Sequence, residues 1–426
     1  MPVAIFFFSL LGAMVLGMPI AYALLVSGMA LMWHLDIFDA QIIAQSVING
    51  ADSFPLMAVP FFMLAGEIMN VGGLSRRIVA VALAAVGHVR GGLGYVTVLA
   101  ACVLSALSGS ALADAAALAT LLVPMMVRAG HDKSRAAGLV AAAGVIGPII
   151  PPSIGFVIFG VAANLSITKL FLAGIMPGIY LALALMATWW WLARTEDVAP
   201  PPRRAPGEML RAIREGFWAL MLPFIIIFGL KFGIFTPTEA GVVAAVYSFV
   251  IAVFVYRELK LSEIYSLFVT AAKITAVVIF LVACALVSAW LITVADMPAK
   301  LVAMFQPLVG NPTLLLLAMM ALVIVVGTAM DMTPTILILT PVLMPLVYAA
   351  GIDPIYFGVL FMINNAIGLI TPPVGTVLNV VAGVTRISIN EVTRGVWPFM
   401  LAEIAVLFLL VLFPSLVTVP ARWFAG

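Results

Sequence analysis

Two stretches hold the residues from which a site could be built: GPIIPPSIG, Gly147 to Gly155, and GLITPPVGT, Gly368 to Thr376. Each lies in an apolar run long enough to cross a membrane, and each contains adjacent prolines. Proline has no backbone donor and clashes with the preceding turn, so carbonyls just before each pair lose their helical partners. In hydrocarbon that loss is costly unless the freed groups face protein, water or an ion. A helix broken in this way offers two ends. Unwound carbonyls can coordinate a hard cation such as Na⁺, and a half-helix N-terminus presents free N–H groups to an anion.

Small oxygen-bearing side chains and glycines surround both stretches. The cation ligands expected from this inventory are Ser108, Gly109, Gly147 and Pro151 in the first half, and Gly327, Thr328, Asp331, Gly368, Thr371 and Gly375 in the second. The substrate-facing set is Ser110, Ser153, Asn164, Thr333, Asn365, Thr376 and Asn379. Hydroxyls and carbonyls suit a hard cation and not a transition metal. Hydroxyls in apolar helices also bond back to their own backbone, which is the competing use of each one. Charges in such segments are expensive and are paired or functional. Glu67, Asp114, Glu239, Asp331 and Glu403 are the acidic candidates, and Asp331, at the start of its segment, is the first choice for a cation. Glu239 follows Thr236 and reads as a helix cap. Glu67 and Glu403 read as paired or interfacial. His34, His88 and His131 fall at segment ends and read as exposed.

The elements that must position these residues are membrane spans. Of 426 residues 65% are hydrophobic and only 9% charged, which describes a polytopic membrane protein. The net charge of +2 gives no footprint for nucleic acid, and Cys102 and Cys284 form no metal or disulfide motif. Spans are expected near 3–33, 52–70, 76–107, 136–163, 166–193, 217–234, 238–256, 264–295, 313–329, 355–385 and 389–418. The first has no basic leader and reads as a retained span. Residues 109–127 and 331–349 carry polar starts and internal prolines and are expected to be re-entrant hairpins. Residues 194–216 form a polar linker whose arginines place it in the cytoplasm.

That linker separates two similar halves, 1–193 and 217–426. An offset of 221 residues aligns Pro124 with Pro345, Asp132 with Asp353, Gly147 with Gly368, Pro151 and Pro152 with Pro372 and Pro373, and Pro177 with Pro398. The expected fold is therefore all-α, with two inverted repeats, each carrying a hairpin and a broken helix (147–155 and 368–376). Paired interruptions in matching places of two halves point to a transporter's central site. No HExxH, GxSxG or P-loop is present, so neither hydrolysis nor local use of ATP is indicated.

The segments PFFMLAGEIMN, SGSALADAAAL, GPIIPPSIGFVIFG, FTPTEAG, MDMTPTILILTPVLMP and LITPPVGTVLNV, in this order, resemble the large membrane subunit of TRAP (tripartite ATP-independent periplasmic) transporters, within the wider ion-transporter superfamily. The resemblance runs over nearly the whole chain. It implies a permease of the bacterial inner membrane that imports organic acids with Na⁺. It also implies a periplasmic substrate-binding protein and, since the chain opens at the large subunit's first span, a separate small four-helix membrane subunit. The family is similar to elevator-type carriers, in which a transport domain slides through the lipid against a scaffold. A single-component Na⁺- or H⁺-coupled dicarboxylate or anion carrier of the same superfamily is the rival reading. An intramembrane enzyme and a purely structural subunit are the more distant ones.

Overall fold

A computed structural model describes residues 2–196, 198 and 206–425, and all the regular structure among them is helical. The chain opens with α1 (Pro2–Val15), α2 (Ile20–His34), α3 (Ala40–Ala51), α4 (Ala58–Val71) and α5 (Leu74–Val86). The span expected over 3–33 is thus two helices: Gly17 turns the chain at φ +82°, and Pro19, which cannot donate, stands at the N-cap of α2. The span over 76–107 divides likewise, into α5 and α6 (Gly92–Ser108), at a glycine corner.

Residues 109–127 do not fold back on themselves. They belong to one unbroken helix, α7 (Ala111–Arg128), which runs straight through Pro124. An internal proline removes a hydrogen bond and strains a helix without reversing the chain. The reversal occurs at Gly109 and Ser110, where a left-handed residue (φ +60°) precedes an N-cap whose hydroxyl accepts from Ala113 N at 3.4 Å. The hairpin is therefore α6 packed on α7. Then come α8 (Lys133–Gly144), a non-helical stretch over 145–153, α9 (Ile154–Ala163) and α10 (Ile167–Ala193).

Half of the expected linker is helical, because α11 spans Pro206–Lys231; residues 197 and 199–205 lie outside the described residues. It is followed by α12 (Pro237–Val250), which ends in a π turn over Ile251–Val255, and by α13 (Leu261–Val294), α14 (Met297–Met304) and α15 (Gln306–Val309). The second hairpin repeats the first. Its arms are α16 (Pro312–Gly327) and α17 (Met332–Ala349), and residues 331–349, expected as a hairpin, are a single arm continuous through Pro341 and Pro345. The chain closes with α18 (Pro354–Gly368), a second non-helical stretch, α19 (Thr376–Thr385), α20 (Ile389–Leu412) and α21 (Ser415–Ala425).

Among the described residues eight helices are long and apolar enough to cross a membrane. Side chains cap the starts of four of them, through Ser110, Ser166, Thr236 and Ser388. Thr236 and Glu239 form a reciprocal capping box on α12, the Thr236 N–H donating to Glu239 Oε2 at 2.7 Å, and Ser388 with Glu391 repeats it on α20. Glu239 is thus a cap, as its spacing suggested.

The second arm of each hairpin lies between a broken helix of its own half and one of the other: α7 on α8 and α19, α17 on α18 and α9. Around these, α10, α18 and α20 complete an inner group. There Phe159, Phe357 and Phe361 cluster, and Trp189 stacks on Phe399 while donating to Gly91 O at 2.7 Å. An outer group is formed by α2, α3 and α4 on α13, α12 on α4, and α5 on α11.

Candidate central site

Both breaks are real. The Pro151–Pro152 and Pro372–Pro373 peptides are cis, and no helix runs through either pair. In the first break Gly144 O accepts from Gly147 N, Ile146 O from Ile149 N and Ile150 N, and Pro148 O from Ser153 Oγ. The carbonyls of Gly147, Ile150 and Pro151 take no part in these bonds. In the second, Ile370 N donates to Ile367 O, Thr371 N to Gly368 O, and Val377 N reaches across to Leu369 O at 3.1 Å.

A cavity of about 360 Å³ lies where the two hairpin tips meet the two breaks. Residues 108–113 and 331–333 contribute the tips, Pro148, Ile154, Gly155 and Leu369 the breaks, and the outer helices close it with Gly66, Glu67 and Asn70 of α4 and Ile274 and Val278 of α13. The first turns of α7 and α17 therefore face the cavity with their positive ends. Among the described residues no Lys, Arg or His lines it, whereas Glu67 and Asp331 do.

Behind the first tip stands Asp114, buried, in the first turn of α7. Its Oδ1 accepts from Ser108 Oγ, whose oxygen also accepts from Ser110 N at 3.2 Å. Its Oδ2 has no hydrogen-bond partner among the described residues. A methyl placed on Gly147 would sit 2.8 Å from that oxygen, so the free lone pairs look onto the first break. Gly109 is as tightly held: a methyl there would stand 2.7 Å from Pro152 O, which is why the tip needs glycine for space as well as for φ. On the other side Gly327 and Gly368 touch backbone to backbone, with Asn365 beside them. Asn365 Nδ2 donates to Met332 O at 3.2 Å, tying the break to the second tip, and its Oδ1 is buried without a partner. Thr376 Oγ1, at the first residue of α19, is buried and unpartnered too.

The expected residues separate on this geometry. Ser108, Gly109, Ser110, Asp331 and Thr333 line the cavity. Gly147, Gly327, Gly368, Asn365 and Thr376 stand around the breaks behind it. The others are held elsewhere. Ser153 is fully buried, donating to Pro148 O and capping Phe156 N at 3.3 Å. Thr328 and Thr371 bond back to Val325 O and Ile367 O. Asn379 donates to Val374 O at 2.8 Å, Gly375 (φ +50°) begins α19, and Pro151 sits in its cis peptide. Asn164 is an exposed left-handed C-cap of α9, outside the cavity.

Three side chains differ from expectation. Glu67 is not paired: it lines the cavity and forms no ion pair among the described residues. Glu403 is fully buried with both oxygens unpartnered. His131 is not exposed but buried, against Glu196 and the Trp189 ring. Each environment is set by packing between helices remote in sequence. The sole local signal was a carboxylate or imidazole in an apolar context.

A polytopic helical membrane protein whose two interrupted helices and two hairpin tips open on one cavity has the build of a secondary transporter. In overall fold it is similar to the Alcanivorax borkumensis YdaH transporter, described as having an unusual topology, with a TM-score of 0.67 over 92% of this chain and 91% of that one at 17% identity. Residues 7–416 match the family model for the DctM component of tripartite ATP-independent periplasmic transporters, and the chain belongs to that family: it is a TRAP transporter large permease subunit, a multi-pass protein of the bacterial inner membrane. It is 54% identical to the Escherichia coli 2,3-diketo-L-gulonate TRAP transporter large permease protein YiaN, over 99% of this chain and all of that one. The Vibrio cholerae sialic acid large permease SiaM is 37% identical over 98% of both chains. The isethionate permease DctMQ of Oleidesulfovibrio alaskensis is 38% identical, and the match spans 66% of its length. Permeases of this family work with a small membrane subunit and a periplasmic binding protein.

Proposed function

We propose that this subunit imports an organic acid with Na⁺, the carboxylate being held in the central cavity and the cations at the two breaks. One observation carries the reading: the cavity is bordered by Glu67, Asp331 and, just behind the tip, Asp114, with no basic side chain on its wall. A carboxylate substrate entering this cavity alone would meet only repulsion from side-chain charge. A cation bound first reverses that sign, which is a physical basis for obligatory coupling. The cation ligands are then Asp114 Oδ2, Ser108 and the freed carbonyls near Gly147 on one side, and Asn365 Oδ1 with the Gly327 and Gly368 backbone on the other. The substrate anion sits between Ser110 and Thr333, on the positive ends of α7 and α17.

The halves are read as inverted repeats, supported by the constant 221-residue offset and the shared hairpin-and-break plan. The inner group is read as a transport domain that moves against the outer helices in elevator fashion. A separate small four-helix subunit braces the outer group, and a periplasmic binding protein delivers substrate. Given the 54% identity to YiaN, a sugar-derived keto acid is the first substrate to try.

The test is uptake of labelled 2,3-diketo-L-gulonate into proteoliposomes holding this chain, its small subunit and its binding protein. An inward Na⁺ gradient should be required, and Asp114→Asn should remove most of the Na⁺ dependence. Equal uptake with K⁺ in place of Na⁺ would overturn the coupling. Full-rate uptake of free substrate by the chain alone would overturn the tripartite arrangement.

A further inference from the structure

A second built cavity, of about 500 Å³, lies outside the transport site, between the N-terminal ends of α5 and α11 and the π turn that closes α12. Arg77, Arg211 and Arg214 line it with Trp218, Val255, Tyr256 and a single carboxylate, Glu215. Its walls are tied together. Tyr256 Oη donates to Glu215 O at 2.9 Å and Tyr247 Oη to Trp218 O at 2.8 Å, fixing α11 to α12. At Gly216 α11 approaches α5 so closely that a methyl would stand 2.5 Å from Val81. The Arg77 guanidinium lies 3.7 Å from the centre of the Tyr256 ring, which orients it across the floor.

Charge here is unbalanced. Arg76 and Arg77 share a single carboxylate, Glu258. Arg211 pairs with Glu215 at 3.1 Å, but both are exposed (81% and 59%), so solvent screens that pair. Arg214 has no ion-pair partner among the described residues. Four guanidiniums thus face two carboxylates. Immediately beyond the arginines the same surface turns apolar: Phe217, Trp218 and Phe224 on α11 and Phe254 on the π turn are exposed. A band of arginine above a band of aromatics is how a helix bundle meets the membrane–water boundary, and the excess of arginine reads this side as the cytoplasmic leaflet.

We propose that this groove binds the phosphate of an anionic phospholipid, with Arg77, Arg211 and Arg214 as its ligands. Guanidinium forks match phosphate oxygens in pairs, and basic pockets between spanning helices on the cytoplasmic side take anionic head groups. A soluble phosphate offers the same oxygens but leaves the exposed aromatic band uncovered. A lipid covers both, its acyl chains lying along Phe224 and Phe254. The groove belongs to the outer helices, so the bound lipid fixes the depth of the group that closes the central cavity with α4 and α13.

The test is native mass spectrometry of the full chain titrated with phosphatidylglycerol, phosphatidylcholine or inorganic phosphate. Phosphatidylglycerol should bind at least tenfold tighter than phosphatidylcholine. Each arginine removed should weaken it about fivefold, so Arg211→Gln/Arg214→Gln should lose about 25-fold. Arg211→Lys/Arg214→Lys should fall between the parent and the glutamine pair, because the charge stays while the paired donors are lost. Should the glutamine pair fail to fold, Arg214→Gln, an exposed change, carries the same test at about fivefold. Equal binding of the two lipids, an equal loss in the remote pair Arg128→Gln/Arg394→Gln, or displacement of the lipid by millimolar inorganic phosphate would each overturn the proposal.

Discussion

Gly147 and Gly368 are matched by the 221-residue offset, yet alanine should affect them differently. At Gly147 the added methyl would stand 2.8 Å from Asp114 Oδ2 and 3.0 Å from Gly144 O. The first neighbour is a side chain that can swing away once its bond to Ser108 lengthens. At Gly368 the methyl would meet Gly327 backbone at 2.8, 2.9 and 3.1 Å, and backbone cannot swing. Inserting a methyl into packed surroundings costs about 1–3 kcal/mol, and these cases should fall at opposite ends of that range. At roughly 2 °C per kcal/mol for a chain this long, Gly147→Ala should lower the melting temperature by about 2 °C and Gly368→Ala by about 6 °C. Function should rank the other way. Gly147→Ala puts carbon where Asp114 would hold a cation, so the half-saturating Na⁺ concentration should rise at least tenfold, the equivalent of about 1.4 kcal/mol. Thiol-reactive thermal unfolding in detergent reads the first quantity, and proteoliposome uptake against Na⁺ concentration the second. A Gly147→Ala protein with Na⁺ half-saturation within twofold of the parent, or a Gly368→Ala protein no less stable than Gly147→Ala, would refute the reasoning.

Asp114→Asn keeps the shape and the Ser108 contact while removing the charge, and should weaken Na⁺ dependence more than Asp331→Asn; the reverse ranking in the same assay would put the cation at the second tip. Thr376→Val replaces a buried, unpartnered hydroxyl by a methyl, so melting should be unchanged or slightly raised; if this hydroxyl faces the substrate, as its place at the second break allows, uptake should fall at least about tenfold, and unchanged uptake would remove it from the site. Trp189→Phe removes the bond to Gly91 O from a buried stack, and should cost about 2 kcal/mol with little change in substrate half-saturation, measured by melting and uptake together.

What could be read from the sequence was whatever a proline, a cap or composition determines locally. The Pro-Pro pairs located both breaks because a missing N–H acts on its own turn. Thr236 and Glu239 announced the start of α12 because a capping box is closed within four residues. The hairpins were misplaced for a related reason. Pro124, Pro341 and Pro345 look like local breaks, but an isolated proline leaves neighbouring bonds intact and α7 and α17 absorb them, whereas the true reversals at 109–110 and 328–331 carry no proline. The α4 wall was illegible altogether. Glu67 reaches the cavity only because α4 packs against α6, and His131 is buried only because Glu196, 65 residues on, comes back to it.

The proposed preference for Asp114 over Asp331 turns on side chains that the repeat alignment does not pair. Offsetting by 221 sets Ser110 against Asp331 and so draws the eye to the tips, while Asp114 falls opposite Thr335, whose hydroxyl is spent on Asp331 O at 2.9 Å. Likewise Asn365 falls opposite Gly144. The halves therefore share a backbone plan and differ in what fills it. In the first, a carboxylate stands between tip and break, and Gly147 leaves room for it. In the second, Gly327 lies directly on Gly368, and a neutral amide supplies the free oxygen. Backbone breaks are encoded by residues that must be proline or glycine and so survive in both halves, but the side chain that fills the gap is free to differ as long as the space is kept. On the proposed reading, two cation positions built on the same plan then differ in charge by one unit, and the first should hold Na⁺ more firmly than the second.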